Sequence, residues 1–202
     1  MSDGAKLSRI MLRESQGMMT PAVDTANRTT YPDTAPYFFE PLWYAIYANA
    51  NHEKRVAQQL GQRSIEHLLP LYESVRRWKD RRVRLQMPLF PGYVFVRFAL
   101  RDRLQVLQIP GVVRLVSFAG QPAPLREEDV HALQSCLSHG SQVEPHPYLQ
   151  AGRRARVRSG PLQGLEGIVL RRKNRTRFII SIDLIMRSMA VEIETDALEL
   201  AG

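Results

Sequence analysis

The chain of 202 residues contains a single cysteine, Cys136, so an intramolecular disulfide is ruled out. A lone thiol is typical of proteins in a reducing compartment, and we predict a cytoplasmic location. Apolar stretches such as residues 178–180 are far shorter than the roughly 18 residues that a membrane-spanning helix needs, so no membrane insertion is expected. The first 35 residues lack an apolar block, which argues against a cleaved secretory signal.

Motifs for catalysis and cofactor binding are also missing. The sequence has no nucleophile elbow, no closely spaced histidine pair for a metal ion and no Gly-Lys-Ser/Thr phosphate loop. Its five histidines are scattered along the chain, and we interpret Cys136 as a small apolar side chain in the interior. We therefore predict that the protein is not an enzyme and binds neither a metal nor a cofactor.

Basic residues are in excess. Lys and Arg number 28 against 20 acidic residues, which gives a formal net charge of +8 and an isoelectric point near 10.1. Such an excess favours a polyanionic partner, with nucleic acid first among the candidates. A solvated basic face without a partner is the alternative, because charge by itself is weak evidence.

Breaks in composition divide the chain into four parts. Residues 1–41 are polar and proline-rich without a sustained apolar period, which predicts a disordered tail. Residues 139–150 contain glycine and prolines among polar residues, which predicts a flexible linker. The chain is thus predicted to carry one domain at residues 42–138 and a second, smaller domain at residues 151–202.

The first domain alternates between strand-like and helix-like segments. Apolar alternation predicts strands at residues 43–47, 65–69, 93–98 and 112–118, and helical spacing predicts helices at residues 52–60, 102–108 and 127–137. This pattern predicts an α+β fold, an α/β sandwich in which helices pack against an antiparallel sheet.

The strand at residues 93–98 has large side chains on both faces. Tyr93 and Phe95 share one face, and the valines between them share the other. If helices cover only the valine face, the aromatic face is an exposed docking surface for a partner. The alternative, that the domain covers both faces itself, stays open from periodicity alone.

A dense basic run occupies residues 76–84. Its basic members are Arg76, Arg77, Lys79, Arg81, Arg82 and Arg84. Because the planar fork of arginine fits phosphate oxygens, we interpret the run as a nucleic-acid contact, with a solvated hairpin tip as the alternative. Trp78 in the run either stacks on a base or pins the hairpin to the sheet.

The C-terminal part has the sequence pattern of a small β-domain. Strands are predicted at residues 154–158, 167–172, 177–184 and 188–193, with a fifth near Leu198. Five short strands in so few residues favour a closed barrel, because closure removes open sheet edges. Its β-branched residues also favour a barrel that stays β-structured over a helical state of the same segment.

Several of these segments match a known family. The Trp-Tyr pair at residues 43–44, the Pro-Leu-Phe-Pro-Gly-Tyr-Val-Phe-Val run at residues 88–96 and Pro-Gly-Val at residues 110–112 resemble the N-terminal (NGN) domain of the NusG family of transcription elongation factors. The sequence at residues 77–81 and 88–91 is more similar to that of the specialised RfaH, LoaP and UpxY antiterminators than to that of housekeeping NusG.

A second motif supports the same resemblance. The run at residues 157–169 is similar to the KOW motif of that family, and its characteristic positions are Gly160, Pro161, Gly164 and Gly167. The two motifs occur in the family's order, so the resemblance covers roughly residues 42–200. It implies an NGN domain followed by an SH3-like five-stranded KOW barrel.

The resemblance also implies a function. Members are non-enzymatic factors that bind RNA polymerase through the NGN domain, bridge its clamp and suppress pausing or termination. The positions that match the family's pocket for the polymerase clamp helices are Tyr93, Phe95, Phe118, Tyr47 and Pro91. Lys54 and Arg55 match a helix near the non-template DNA strand or nascent RNA. The KOW domain would recruit a ribosomal protein or Rho, and a monomer is expected.

A different class of function remains as the alternative. A ribosome- or RNA-binding KOW protein would use the barrel and the arginines in translation, without polymerase. It differs in predicting salt-sensitive RNA binding by the C-terminal part and no association with polymerase.

Overall fold

A computed structural model describes residues 38–78, 81–160, 162–172 and 175–200. The predicted tail at residues 1–41 lies almost entirely outside the described residues, as do Lys79 and Pro161. No helix within these described ranges is long and apolar enough to span a bilayer. Within the same ranges, no cluster of His, Cys, Asp and Glu has the arrangement of a metal site.

The N-terminal part forms a four-stranded antiparallel sheet with three helices. Its elements are β1 (Leu42–Ala48), α1 (Glu53–Gln62), β2 (Glu66–Leu68), β3 (Leu71–Trp78), β4 (Arg81–Pro88), β5 (Tyr93–Phe98), α2 (Arg103–Leu107), β6 (Val112–Leu115), β7 (Ser117–Phe118), β8 (Gln121–Pro122) and α3 (Glu127–Ser138). The sheet has the strand order β2-β5-β1-β6, whereas β3–β4 and β7–β8 form two-stranded hairpins.

The first face of this sheet is covered by α1 and α2. Val94 and Val96 of β5 are fully buried in one cluster with Val56 and Leu60 of α1 and Val106 of α2. These residues bring the apolar side of an amphipathic helix onto the alternating apolar side of a strand. The predicted packing of helices on the valine face is therefore present.

The second face is also covered over part of its length, which corrects the expectation of an exposed aromatic face. Phe95 is 0% exposed and belongs to a cluster with Trp43 of β1 and with Val130 and Leu133 of α3. The segment before α3 pairs with β1 through an antiparallel bridge between Pro124 and Tyr44, and the Leu125 N–H donates to the Trp43 carbonyl at 2.7 Å. The chain thus returns over the second face and lays α3 across the Phe95 end.

The C-terminal part is a six-stranded antiparallel sheet. Its strands are β9 (Val143–His146), β10 (Arg153–Val157), β11 (Glu166–Arg172), β12 (Arg175–Ile182), β13 (Arg187–Glu192) and β14 (Leu198–Leu200), in the order β14-β10-β11-β12-β13-β9. The last five in sequence are the strands predicted for the barrel. The mixed architecture predicted from sequence, helices on an N-terminal sheet followed by a strand-rich domain, is present.

Strand β9 corrects the prediction of a flexible linker at residues 139–150. It pairs with β13 at the edge of the sheet, and Glu144 forms an ion pair with Arg177 at 3.0 Å. Beyond it, Leu149 accepts a hydrogen bond from the Ser181 hydroxyl at 2.7 Å and donates one to the Ser188 hydroxyl at 3.1 Å. Serine hydroxyls on β12 and β13 therefore bind a segment whose composition alone indicates a loop.

Helix α3 connects the two parts of the fold. One buried cluster runs from Phe95 through α3 to Phe178 and Ile180 of β12, and α3 contacts β12 directly. Cys136 of α3 is buried in this cluster, which confirms its interpretation as an interior apolar side chain. Helix α3 thus contributes to a core that contains residues of both parts of the fold.

Candidate docking surface

Two tyrosines meet at the end of the second face that α3 leaves uncovered. Tyr47 of β1 and Tyr93 of β5 are directly paired across the strands, and their ring centroids lie 5.4 Å apart at an interplanar angle of 70°. Tyr47 is 36% exposed and Tyr93 is partly buried. An edge-to-face pair of this kind holds both rings in a defined orientation.

A tight turn presents Tyr93. The Tyr93 N–H donates to the Phe90 carbonyl at 3.0 Å, and Gly92 between them has φ +83°. A Cβ on Gly92 would lie 2.8 Å from Cε2 of Tyr47, so both the positive φ and the contact with the ring require glycine. Pro91 is exposed at the tip of this turn. Because residue 92 is glycine, the Tyr47 ring can lie directly against the backbone of the turn.

A buried carboxylate anchors the same turn. Glu53 of α1 is only 4% exposed, and its Oε1 accepts a hydrogen bond from the Gly92 N–H at 2.8 Å. The Gly92 carbonyl accepts a hydrogen bond from the Ala48 N–H at 2.8 Å, so both sides of the turn are bound. The sequence reading missed this role of Glu53, because an acid in the first turn of a helix is already explained by the helix dipole.

Phe118 is a further exposed aromatic side chain of the N-terminal part. It is 67% exposed on the β7–β8 hairpin, which turns through Ala119 and Gly120, both at positive φ. The hairpin starts one residue after the edge strand β6, on which Val113 is also exposed. We define the aromatic surface as Tyr47, Tyr93, Pro91 and Phe118.

Arg114 was not singled out from the sequence, but it borders this surface. Its guanidinium carbon lies 5.4 Å from the centroid of the Tyr47 ring, a cation–π contact, and the side chain is exposed. The only sequence signal for it is its place three residues after Gly111, in a segment predicted to form a strand.

Phe95, by contrast, does not belong to the aromatic surface. Its ring packs edge-on against Phe90, with centroids 5.9 Å apart, underneath α3. Tyr93 and Phe95 share a strand and a face, so alternation alone placed them together. The covering helix separates them, and Phe95 is part of the core that supports the surface.

The basic run forms the end of the β3–β4 hairpin, and the strand register divides its arginines between two faces. Arg77 lies directly opposite Arg82, and Arg84 lies on that same face opposite Val75. Arg76 and Arg81 lie on the other face, opposite Val83 and Trp78. Arg84 contacts Glu73 at 3.6 Å, and all five arginines are exposed.

The remaining basic positions lie elsewhere. Lys54 and Arg55 are exposed on α1, which covers the first face, so the sheet separates them from the aromatic surface. The structure therefore does not gather all predicted basic residues into one patch near the tyrosines.

The glycines of the KOW-like run have structural roles. Gly160 and Gly164 adopt φ +86° and +89°, and the Gly164 N–H donates to the Val157 carbonyl at 2.8 Å. A Cβ on Gly167 would lie 2.5 Å from the Ile179 carbonyl oxygen, so β11 and β12 approach closely there. The motif thus shapes the β10–β11 connection and offers no chemically reactive group.

A partly buried ion pair lies where α3 meets the C-terminal sheet. Arg126 Nη2 lies 2.7 Å from Asp129 Oδ1 and Nε lies 3.1 Å from Oδ2. Burial raises the pKa of Asp129 to about 6, although the Arg126 hydrogen bond acts in the opposite direction, and the negative charge of Asp183 adds to the rise. Asp183 follows β12, so the carboxylates from the two parts of the fold interact.

Comparison with known proteins identifies the family. Residues 41–134 match the NusG family model, described as "Transcription termination factor nusG". The "Transcription termination/antitermination protein NusG" of Deinococcus radiodurans is 31% identical over 154 residues, which cover 63% of this chain and 81% of that protein. Its counterpart in Vibrio parahaemolyticus is 28% identical over 172 residues, covering 78% of this chain and 94% of that protein. The chain belongs to the NusG family.

Membership in the NusG family confirms the resemblance drawn from residues 43–44, 88–96 and 157–169. It places the chain among factors of transcription termination and antitermination and not among enzymes. A solved structure of NusG from Thermotoga maritima, described as a domain interaction, is similar with a TM-score of 0.51 at 19% identity, covering 81% of this chain and 98% of that one. At this identity the likeness shows the fold alone. The closer relation to specialised antiterminators stays a prediction.

Proposed function

We propose that this NusG-family protein is an elongation and antitermination factor that binds the clamp helices of RNA polymerase through the aromatic surface. The observation that carries the proposal is the ordered pair of Tyr47 and Tyr93 rings at the end of the second sheet face, with Tyr47 exposed. Phe118 adds an exposed aromatic ring on the β7–β8 hairpin. Exposed aromatic rings on a rigid sheet are typical centres of protein interfaces. Phe95 supports this surface from below.

Binding of this kind suppresses pausing through an equilibrium. A factor that bridges the clamp stabilises the closed clamp only as far as it binds that state more tightly than the open one. A difference of about 1.4 kcal/mol changes the ratio of the two states tenfold. The factor therefore needs no chemistry of its own.

We further propose that the β3–β4 hairpin contacts non-template DNA or nascent RNA through the face that carries Arg77, Arg82 and Arg84. Like charges directly opposite each other in a hairpin cost stability, and the Arg77–Arg82 pair has this arrangement. A phosphate between the two guanidinium groups would remove that cost. Substitution of Arg82 by alanine should therefore weaken binding of a single-stranded oligonucleotide more than substitution of its neighbour Arg81, which lies on the other face. Lys54 and Arg55 would form a separate contact.

The C-terminal sheet is proposed to recruit the second partner, a ribosomal protein or Rho. On this proposal residues 42–138 bind polymerase as a monomer in the cytoplasm, and the KOW-containing part carries the other contact. The C-terminal sheet contacts α3 through β12, and α3 is the helix that packs with Phe95 in one cluster. We therefore propose that the contact between the two parts of the fold has a role in this function.

A pull-down with core RNA polymerase tests the central proposal. Phe118→Ala and Tyr47→Ala should each reduce binding about tenfold or more, because aromatic anchors dominate interface energies. Phe39→Ala is the matched control, since Phe39 is also an exposed phenylalanine but lies with residues of the first face, near Phe98 and Val106. Unaltered binding by both surface variants, at matched melting temperatures, would refute the proposal.

Single-round transcription tests the outcome of binding. The protein should increase read-through at a pause and at a terminator, and Phe118→Ala should lose most of that effect. Salt-sensitive RNA binding without any association with polymerase would support the alternative of an RNA-binding KOW protein in translation. That alternative has in its favour the exposed row of Arg154 and Arg156 on β10.

A further inference from the structure

Arg114 differs from two other arginines of the sheets, Arg97 and Arg177, because no carboxylate among the described residues pairs with it. Arg97 contacts Glu66 at 3.5 Å and Glu127 at 4.0 Å, and Arg177 contacts Glu144 at 3.0 Å. Within the described parts of the chain, Arg114 forms no such ion pair. The Arg114 guanidinium carbon lies 5.4 Å from the centroid of the Tyr47 ring.

The stacked position prepares the guanidinium for an anion. Arginine presents its N–H donors in the plane of the group, so a group lying over a ring keeps those donors available at its rim. Its side chain is already ordered by the ring, which lowers the entropy lost when a ligand binds. A carboxylate matches the fork with two parallel hydrogen bonds.

The ring under Arg114 belongs to an aromatic pair. The guanidinium lies over Tyr47, and Tyr47 is paired with Tyr93 across the strands. A ligand that contacts both the rings and the guanidinium must therefore bring apolar side chains together with one negative charge. This combination describes a protein segment better than a nucleic-acid backbone, which would require several basic residues at the site.

We propose that the aromatic surface binds a segment of RNA polymerase that places an Asp or Glu carboxylate against Arg114, beside apolar residues that contact Tyr47 and Phe118. The inference rests on the proposed function and adds the chemistry of the contact on the partner. Arg114 is then a specificity-determining residue, because a partner without an acid at this place would leave the guanidinium desolvated and unpaired.

Affinity for core RNA polymerase, measured by fluorescence titration of labelled full-length protein, tests the inference. Arg114→Glu should weaken binding tenfold or more, since it places like charges together. The affinity of Arg114→Lys should lie between those of the unchanged protein and Arg114→Glu, because lysine keeps the charge but not the planar fork. Arg103→Glu is the control with the same change of charge, on α2 and hence on the other side of the sheet. It should bind within about twofold of the unchanged protein.

A double-mutant cycle sharpens the test. If Arg114 acts through its position on the ring, Tyr47→Leu should reduce the effect of Arg114→Gln, because the two residues form one unit. If the losses of polymerase affinity caused by Tyr47→Leu and Arg114→Gln are additive, the Tyr47 ring does not order the Arg114 guanidinium for binding. The same variants titrated with a single-stranded oligonucleotide identify the source of the anion, and an equal loss of oligonucleotide and polymerase affinity would overturn the inference in favour of phosphate.

The outcomes separate this inference from the proposed function. If Phe118→Ala loses polymerase binding but Arg114→Glu does not, the surface docks without a carboxylate and the inference is wrong while the function stands. If the unchanged protein does not bind polymerase at all, both are wrong. Because Arg114 is exposed, matched melting temperatures should hold for every Arg114 variant.

Discussion

Phe95 and Tyr93 lie two residues apart on the same face of one strand, yet one is interior and the other borders the surface. The difference comes from α3, whose Val130 and Leu133 pack with Phe95, whereas Tyr93 lies at the end of the face, beside Tyr47. One sheet face thus supplies both part of the core and the proposed docking surface. The comparison teaches that alternation identifies the residues of a face, and the helix laid across it decides which of them can meet a partner.

The largest expected effect on the free energy of unfolding is at Phe95, in the part of the sheet face that α3 covers. Phe95→Ala should lower the free energy of unfolding by about 3–5 kcal/mol, because it removes a fully buried ring from a packed cluster. Phe118→Ala, at the exposed end, should change it by less than about 1 kcal/mol. Urea denaturation of both variants measures the difference. Equal stability losses would contradict the division of the face into a buried and an open end.

The next effect concerns α3 itself. The pKa of Asp129 is raised to about 6 from 3.8, so the folded protein holds this proton more tightly than the unfolded chain. The contribution to stability is fully present below about pH 4 and is lost as the pH rises to 6, by an amount on the order of 3 kcal/mol.

Asp129→Asn should flatten this part of the stability profile, because its side chain does not titrate. Chemical denaturation at several pH values between 4 and 7 measures the slope for both proteins. Glu127→Gln, an exposed acid on the same helix, is the control and should keep the slope. A slope that survives in Asp129→Asn would show that another group is responsible.

The smallest effect is at the open end. Glu53→Ala leaves the Gly92 N–H without its acceptor and should cost about 1–3 kcal/mol, whereas Glu53→Gln keeps an acceptor oxygen and should cost less. Hydrogen exchange and the chemical shift of the Gly92 amide report the turn directly, without reference to polymerase. If the amide of Gly92 is unchanged in Glu53→Ala, the buried carboxylate does not position the aromatic surface.

Much of the architecture could be predicted from local pattern. The strand at residues 93–98 and the helix beginning at residue 127 were predicted with the bounds that the structure has, to within one residue at the helix end. Their apolar periods are long and regular, which is the condition under which pattern identifies an element. The Phe-Pro-Gly-Tyr motif carried the family resemblance, and the contact of Gly92 with Tyr47 explains its glycine.

Features that depend on distant residues could not be predicted in this way. Residues 143–146 form β9 because the β13 edge and the Arg177 side chain accept them, although Pro145 and the polar neighbours indicate a loop. Arg114 and Glu53 likewise matter through contacts with Tyr47 and Gly92, which are distant in sequence. Short segments carry too few residues for a period, so partners elsewhere in the chain decide their structure.

By itself the sequence determined the elements with a regular apolar period, the aromatic strand and the family, because these depend on residue spacing and on motifs within short windows. The tertiary structure alone decided that α3 covers Phe95, that the arginines of the hairpin divide between two faces and that Tyr47, Tyr93 and Arg114 meet. The physical reason is that burial is a property of the whole fold. A side chain is removed from water by whatever the chain brings over it, and that segment is remote in sequence.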